Sequence, residues 1–198
     1  MKENNPNHPK KRSKITVEPI RDIRDIESIK KLLSTNLRNL LLFQIGINNG
    51  LRCGDLLRLK IKDVKYLKPG ETVTLTEQKT GKKNILMVNK TTYKILKEYL
   101  DKTNLNDDDY LFKSRKGNKP LTVSSVNGMI KSWCRSINLK GNYGTHSLRK
   151  SFCYLQRTKF GIGFEILCKR LNHSSPSVTM RYLGIEDKEV NTILMNEI

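Results

Sequence analysis

The chain has 198 residues, a length that suits one domain with a sizeable core and is too short for two full domains. It carries 38 Lys and Arg residues against 19 Asp and Glu residues, a net charge of +19, which favours a polyanionic partner such as nucleic acid. Ribosomal proteins and proteins of membrane surfaces share such a charge, so composition alone selects a class of partner and no activity.

Apolar runs and cysteines exclude several other classes. The longest apolar run, Leu40 to Phe43, is too short to cross a bilayer, and the polar N-terminus lacks the apolar segment of a signal peptide. The cysteines form no CxxC pair and no ligand set, and neither a Walker A loop nor a GxGxxG loop is present in the sequence. We therefore expect a cytoplasmic, nucleoid-associated protein with reduced thiols, no membrane segment, no metal and no cofactor.

Residues 1–20 are predicted to form a flexible basic arm, because they hold Lys10-Lys11-Arg12 and hardly any periodic apolar residues. Such an arm is either a solvated tail or a segment that wraps along DNA, and the sequence leaves both open. The folded domain is predicted to span residues 21–185.

Helical periodicity dominates that domain. Apolar residues recur at helical spacing from Ile23 to Leu33 and from Asn36 to Asn48, where Asn49-Gly50 ends the second helix. A short helical turn is expected over 55–59. Four residues stand at N-cap positions: Asn89, Thr122, Thr145 and Ser175. They predict helices over 90–101, 123–137, 146–158 and 176–182, with another over 163–171.

Strand periodicity is confined to one region. Thr72 to Glu77 and Asn84 to Val88 alternate with period two on either side of Thr80-Gly81, which predicts a hairpin over 72–88. The predicted fold class is therefore mainly α with a small antiparallel β-sheet (α+β). After the domain, Val190, Ile193 and Leu194 lie at helical spacing and predict a C-terminal amphipathic tail over 186–198.

The most informative pattern is His146-Ser147-Leu148-Arg149. With Thr145 as the helix cap, His146 lies in the first turn and Arg149 shares its face. A phosphate at that helix start would meet free backbone N–H groups, the positive end of the dipole, a guanidinium and an imidazole. Either residue alone is more often an ordinary surface residue, whereas the pair favours a phosphate site.

A second pattern places His173 nine positions before Tyr182, which ends the helix that follows Ser175. A phenol titrates at about 10, so it attacks phosphorus only with the help of a base or adjacent cations. Two of the three histidines of the chain fall in these two patterns. They predict a phosphate-cutting centre with Tyr182 as its nucleophile; the alternative is a core aromatic residue with a satisfied hydroxyl.

Two further basic candidates lie upstream. Arg52 stands in a turn three residues before Asp55, which would hold it in position, although a plain surface ion pair is the alternative. Lys79 lies at the tip of the predicted hairpin, which either enters a DNA groove or is a polar turn.

Asp107-Asp108-Asp109 raises a different chemistry, metal-assisted phosphodiester cleavage. Two-metal sites usually draw their ligands from separated elements, so three adjacent carboxylates are more typical of a solvated turn.

Together these residues resemble the catalytic domain of the tyrosine recombinase, or phage integrase, family. The resemblance runs from about Asn36 to Ile185, and its landmarks follow the family's order. They are GLRCGDLLRL around Arg52, EQKTGKK around Lys79, THSLRKSF around His146 and Arg149, and LNHSSPSVTMRYLG around His173 and Tyr182. The last two motifs are highly specific, and the hairpin lysine is the weakest.

The resemblance implies that Tyr182 attacks the scissile phosphate, forms a 3′-phosphotyrosyl link and releases a 5′-hydroxyl. Arg52 and Arg149 would clamp the nonbridging oxygens, and Asp55 would orient Arg52. No metal or ATP is required, because one phosphodiester is exchanged for another.

The same resemblance assigns the proton transfers. Lys79 would protonate the departing 5′ oxygen, His146 would assist proton transfer at the tyrosine, and His173 would hydrogen-bond the phosphate. A fixed set of cations then stabilises the charge that grows on the phosphoryl oxygens.

The implied partners are double-stranded DNA with specific recombination sites and other copies of the chain. The resemblance implies a homo-tetramer on DNA and a monomer or weak oligomer when free, with the tail over 186–198 packing on a neighbouring protomer or on its own domain. Family members usually carry a DNA-clamping domain before the catalytic one, although the fimbrial phase-variation invertases are similarly short. The chain is therefore either a compact recombinase whose arm partly substitutes for the clamp or a fragment of a longer integrase.

Two other functions share this motif set. A type IB topoisomerase would relax supercoils through the same phosphotyrosine on a single duplex. A noncatalytic DNA-binding regulator on the same fold should have lost at least one catalytic side chain, and all of them are present in this sequence.

Overall fold

The computed structural model describes residues 16–183 and residue 195. Within these residues the chain folds into helices around one two-stranded antiparallel sheet. The helices are α1 (Ile23–Leu32), α2 (Leu37–Asn49), α3 (Cys53–Leu56), α4 (Ile61–Val64), α5 (Lys90–Asp101), α6 (Val123–Ser136), α7 (Thr145–Phe160), α8 (Phe164–Leu171) and α9 (Pro176–Leu183); the strands are β1 (Thr72–Thr76) and β2 (Lys83–Met87). The predicted fold class is confirmed, and the predicted tail over 186–198 lies outside the described residues, residue 195 excepted.

Side-chain caps fix several of the helix starts. Asn36, Asn89 and Thr122 each accept a hydrogen bond from a backbone N–H in the first turn of α2, α5 and α6. Gly50 ends α2 in the left-handed region with φ of 59°, a conformation that costs glycine little. Local chemistry therefore predicts these boundaries well.

Helix α7 begins differently from the prediction, because Thr145 is its first residue and Gly144 is the cap. The Gly144 N–H donates to the Ser147 hydroxyl at 3.0 Å, and the Thr145 N–H donates to Asn127 Oδ1 at 3.1 Å. A Cβ on residue 144 would lie 2.3 Å from that Asn127 oxygen, so close packing selects glycine at the cap. The prediction of Thr145 as the N-cap was wrong, whereas the predicted place of His146 in the first turn is confirmed.

The segment after Gly50 also departs from the prediction. The turn expected over 55–59 is α3, which begins and ends earlier, and the chain then forms an unpredicted turn of helix, α4. Main-chain N–H groups of Ile61 and Lys62 donate to the carbonyls of Asp109 and Asp107. This turn depends on partners distant in sequence, which local periodicity cannot reveal.

Residues 16–20 belong to the folded body rather than to the predicted arm, so the arm boundary at residue 20 was placed too late. The Glu18 N–H donates to the Asn142 carbonyl, and the buried Ile20 donates its N–H to the Ser151 hydroxyl at 2.7 Å. The remainder of the predicted arm, residues 1–15, lies outside the described residues.

The core consists of two hydrophobic clusters joined by α7. The larger surrounds α2, whose Leu41, Leu42 and Phe43 are fully buried, and it includes Leu148 of α7. The smaller holds Phe152 and Cys153 of α7 with apolar residues of α8 and α9. Burying one large apolar side chain stabilises the fold by about 1.5–3 kcal/mol, so both clusters contribute substantially.

The hairpin is attached to α2 and α8 by polar side chains. Its strands pair with Thr72 opposite Met87 and Thr76 opposite Lys83, as predicted for residues 72–88. Asn49, the last residue of α2, bonds both main-chain groups of Met87. Arg170 of α8 donates to Asn84 Oδ1 and to the Ile85 carbonyl. The hairpin tip therefore has a fixed position relative to the helices.

The helices of the described region include none that is both long and apolar enough for a transmembrane span. All four cysteines are free thiols, and burial raises the pKa of Cys53, Cys134 and Cys153 to about 12.

We expect Gly50→Ala to destabilise the protein more than Gly161→Ala does. Both glycines end a helix with similar positive φ, 59° and 65°, so each substitution incurs the left-handed penalty of about 1–2 kcal/mol. A Cβ at residue 50 would also lie 2.4 Å from the Phe152 ring, whereas nothing lies within 4 Å of one at residue 161. Overpacking should add about 1–3 kcal/mol at residue 50, measurable by urea unfolding. Equal losses in the two variants would contradict this packing.

Candidate active site

Arg149 is the buried cation at the centre of the site. Only 2% of it is exposed, and its guanidinium donates to the carbonyl oxygens of Gly50 and Leu171 at 2.5 Å each. Burial lowers its pKa, but a guanidinium stays charged inside proteins. Neither of these hydrogen-bond partners is a carboxylate, so this buried positive charge favours an anionic ligand.

Arg52 approaches the same place from the start of α3. Its Nη1 lies 2.5 Å from Oε2 of Glu77, a carboxylate that is 1% exposed. This buried nitrogen and the carboxylate make a charge-assisted contact, which helps to lower the pKa of Glu77. The Arg52 side chain as a whole is 20% exposed and lines a cavity shared with Arg149, so part of it can contact a ligand there.

Asp55 does not make the predicted contact with Arg52. Its Oδ1 accepts a hydrogen bond from the main-chain N–H of Gln78 at 3.0 Å, and its Oδ2 has no partner within the described part of the chain. Glu77 makes the side-chain contact with Arg52 instead. The prediction failed because the hairpin brings a second carboxylate to Arg52 from a position 25 residues downstream, which spacing within one turn does not reveal.

Five of the predicted residues line one cavity of about 210 Å³. They are Arg52, Asp55, Lys79, His146 and Arg149. Three distant segments supply them: α3, the hairpin tip and the first turns of α7. Lys79 and His146 are exposed at the mouth of the cavity, whereas Arg149 lies at its base.

His146 keeps a neutral imidazole more readily than an ordinary histidine. Loss of hydration beside the cavity wall and the nearby charges of Arg149 and Arg52 lower its pKa. A neutral imidazole can accept a proton, so this side chain is suited to act as a base near neutral pH.

His173 is oriented by a buried hydroxyl. Its Nδ1 lies 2.9 Å from Oγ1 of Thr179, a fully buried residue of α9. This contact leaves Nε2 as the ring nitrogen available to a ligand. Burial and the charges of Arg149 and Arg52 lower the pKa of His173 to about 4.

Tyr182 lies beside both histidines. Its hydroxyl is 3.5 Å from the main-chain oxygen of His146, and its ring packs edge-on against His173 with centroids 5.2 Å apart. Lys150 Nζ lies 5.1 Å from the centre of the phenol ring. Burial raises the pKa of Tyr182 to about 12, with Arg149 opposing the shift, so the phenol is protonated in the free protein.

The structure thus brings all six predicted catalytic residues to one region, and sequence reasoning missed three neighbours: Glu77, Lys150 and Thr179. One signal for Glu77 was present. It continues the alternation of Val73 and Leu75, so it falls on the inward face of the strand, where a carboxylate needs a cationic or hydrogen-bonding partner.

The three aspartates at 107–109 form ion pairs with lysine side chains. Asp107 pairs with Lys65, Asp108 with Lys60 and Lys62, and Asp109 with Lys113. In the part of the chain that the structure describes, no three His, Cys, Asp or Glu side chains are grouped as a metal site. The cluster therefore has the contacts of a charged surface turn.

Comparison with known proteins agrees with this geometry. The model of the phage integrase family matches residues 20–189, most of the chain. The chain belongs to the phage integrase family of tyrosine recombinases. Its predicted family and fold are thereby confirmed.

Curated relatives of this tyrosine recombinase include short and long proteins. It is 37% identical over 174 residues to the probable integrase/recombinase YoeC of Bacillus subtilis, covering 86% of this chain and 91% of that protein. It is 30% identical over 168 residues to tyrosine recombinase XerA of Pyrococcus horikoshii, covering 82% of this chain and 56% of that one. The chain spans about half the length of the Xer-type relatives that it matches.

Solved structures show the same fold. The XerH site-specific recombinase bound to a palindromic difH substrate, a post-cleavage complex, superposes with a TM-score of 0.71 at 25% identity, covering 96% of this chain and 57% of that one. The XerA recombinase gives a TM-score of 0.70 at 22% identity, covering 90% and 65%. Both matches extend over nearly the whole chain of this protein.

We expect His173 to titrate with a midpoint near its lowered pKa of about 4 rather than the ordinary 6.5. Between these values the unfolded chain binds a proton that the folded site does not, so the free energy of unfolding falls as the pH drops from 6.5 towards 4. NMR titration of the imidazole protons measures the midpoint directly, with His173→Asn to assign the signal. A midpoint at 6.5 would show that the ring is not held among cations.

Proposed function

We propose that this protein is a site-specific DNA recombinase that cleaves and rejoins strands through a 3′-phosphotyrosyl intermediate, without a metal ion or ATP. The observation that supports this most strongly is the convergence of two guanidinium groups and a phenol from distant segments. One guanidinium is buried with carbonyl partners, and the other contacts a buried carboxylate and lines the same cavity. Both arrangements suit a tetrahedral phosphate.

In the proposed cleavage step the Tyr182 oxygen attacks the scissile phosphorus, and the bond from phosphorus to the 5′ oxygen breaks. Arg52 and Arg149 hold the nonbridging oxygens, and His173 donates a hydrogen bond to one of them through Nε2. Charge grows on these oxygens in the transition state, so fixed donors lower the barrier. Losing one such donor typically costs about 10²- to 10³-fold in rate.

Two proton transfers complete the step. The phenol pKa of about 12 means that Tyr182 must lose its proton as it attacks, and the neutral imidazole of His146 takes part in that transfer. Lys79, exposed at the hairpin tip, donates a proton to the departing 5′ oxygen. One phosphodiester replaces another, so the 5′-hydroxyl of a second strand can reverse the step and exchange strands.

The proposed partner is double-stranded DNA bearing specific recombination sites, on which four copies of the chain assemble. The net charge of +19 favours a polyanion, and the XerH complex contains its own difH substrate. We propose that residues 1–15 continue as a basic arm along DNA, and that residues 186–198 contact a neighbouring copy.

We expect Tyr182→Phe to abolish covalent capture of DNA. A pool of nicked duplexes with a randomised core, which trap the cleaved strand, should yield a protein–DNA adduct on a denaturing gel with the wild type alone. Phenylalanine keeps the ring contact with His173 and removes only the attacking oxygen. A chelator should leave the wild-type adduct unchanged.

An adduct with both proteins would remove Tyr182 from the proposed role, and no adduct with either would contradict the proposed function. Relaxation of supercoiled plasmid without a preferred site would instead favour a topoisomerase-like activity.

We also expect deletion of residues 186–198 to leave cleavage intact while weakening the pairing of two DNA sites. The deletion leaves every proposed catalytic residue in place, so adduct yield serves as its internal control. Gel mobility of a two-site DNA measures assembly. Unchanged assembly would contradict a role for these residues between protomers.

A further inference from the structure

Two carboxylates connect α3 and the hairpin in a crosswise arrangement. Glu77, at the inner end of the hairpin, contacts the guanidinium of Arg52 at the start of α3. Asp55, within α3, accepts a hydrogen bond from the main chain of Gln78 in the hairpin. Each element therefore holds the proposed catalytic cation of the other, because Gln78 immediately precedes Lys79.

We infer that Glu77 is a positioning residue for Arg52, and that Asp55 positions the hairpin main chain that carries Lys79. This inference rests on the proposed function, because it assigns the two carboxylates to different parts of the same cleavage step. Through Arg52, Glu77 affects the stabilisation of the nonbridging oxygens, which stay on phosphorus. Through Lys79, Asp55 affects the protonation of the departing 5′ oxygen.

Glu77 is itself rigidly held. The Thr80 hydroxyl donates to its Oε2 at 2.5 Å, and the Asn84 amide donates to its Oε1 at 2.8 Å. Asn84 in turn accepts a hydrogen bond from Arg170 of α8 at 2.6 Å. A carboxylate fixed in this way restricts the positions open to the longer and more flexible arginine.

Glu77 also reduces the electrostatic repulsion between the two guanidinium groups. The positive charges of Arg52 and Arg149 repel each other, and the negative charge of Glu77 offsets this repulsion at both. Burial raises the pKa of Glu77, but hydrogen bonds from Thr80 and Asn84 and the contact with Arg52 outweigh it and lower the pKa to about 2. The Glu77 carboxylate is therefore ionised at neutral pH.

The contact does not remove Arg52 from its proposed ligand. Nη1 is the nitrogen that lies against the carboxylate, and the Arg52 side chain is still 20% exposed and lines the cavity. Glu77 thus holds the guanidinium at one nitrogen, and the exposed part of the side chain stays open to the cavity.

The test uses two matched substitutions and two matched substrates. Glu77→Gln and Asp55→Asn each remove a charge while keeping the size of the side chain. Both substrates are nicked duplexes of a site selected from the randomised pool. One has the natural 5′ oxygen at the scissile bond, and the other has sulfur in its place. In the second the bond from phosphorus to sulfur breaks and a thiolate leaves, which needs no proton from Lys79.

Glu77→Gln should slow adduct formation by about ten- to a hundredfold on the oxygen substrate, less than loss of a phosphate donor itself. The same factor should persist on the sulfur substrate, because the oxygens held by Arg52 are unchanged. Asp55→Asn should also be slower on oxygen, but sulfur should restore most of its rate, as it should for Lys79→Ala. A merely structural role would produce no such difference between the two leaving groups.

A double-mutant cycle tests the partner. If Glu77 acts through Arg52, then Arg52→Ala should cost less in the Glu77→Gln background than in the wild type. Thermal unfolding checks that each variant is folded. Should Glu77→Gln not fold, Thr80→Val removes one of the bonds that hold Glu77, and it should show a smaller defect that is likewise equal on both substrates.

Several results would overturn the inference. They are a wild-type rate for Glu77→Gln, a defect that sulfur relieves, or equal costs of Arg52→Ala in the two backgrounds. Failure of the proposed function is distinguishable, because the wild type would then form no Tyr182-dependent adduct with either substrate.

Discussion

The site depends on the burial of a guanidinium whose hydrogen-bond partners are backbone carbonyls. Arg149 donates to the oxygen that follows α2 and to the oxygen that ends α8, so one side chain fixes the mutual position of three helices. The left-handed turn at Gly50 turns one of these carbonyls inward. Since the partners are neutral, the positive charge stays available, and the same bonds that hold the fold together maintain the anion site.

A second constraint is the repulsion between three basic side chains that come from different segments of the chain. Arg52, Lys79 and Arg149 approach one cavity, and the fold places Glu77 and Asp55 between the elements that carry them. These two acidic residues thus set the positions of the basic side chains and do little to reduce the net positive charge. A basic protein of this kind can concentrate positive charge only where a few buried carboxylates limit the repulsion.

Sequence reasoning predicted the helices, the hairpin and the six proposed catalytic residues because their signals are local: caps, period and motif spacing. It did not predict α4 or the cap at Gly144, since both depend on contacts distant in sequence. It also paired Arg52 with the nearer carboxylate, Asp55. Proximity along the chain misled there, because the hairpin delivers Glu77 to Arg52 only after the tertiary fold has formed.

The division of the core into two clusters has a consequence for the nucleophile. Arg52 and the base of the hairpin adjoin the large cluster around α2, whereas Tyr182 packs against the small one formed by α7, α8 and α9. The small cluster buries less apolar surface, so it contributes less to stability than the large one. The attacking oxygen is therefore carried by the smaller part of the core, and Arg149, which bonds the Gly50 and Leu171 carbonyls, ties this part to α2.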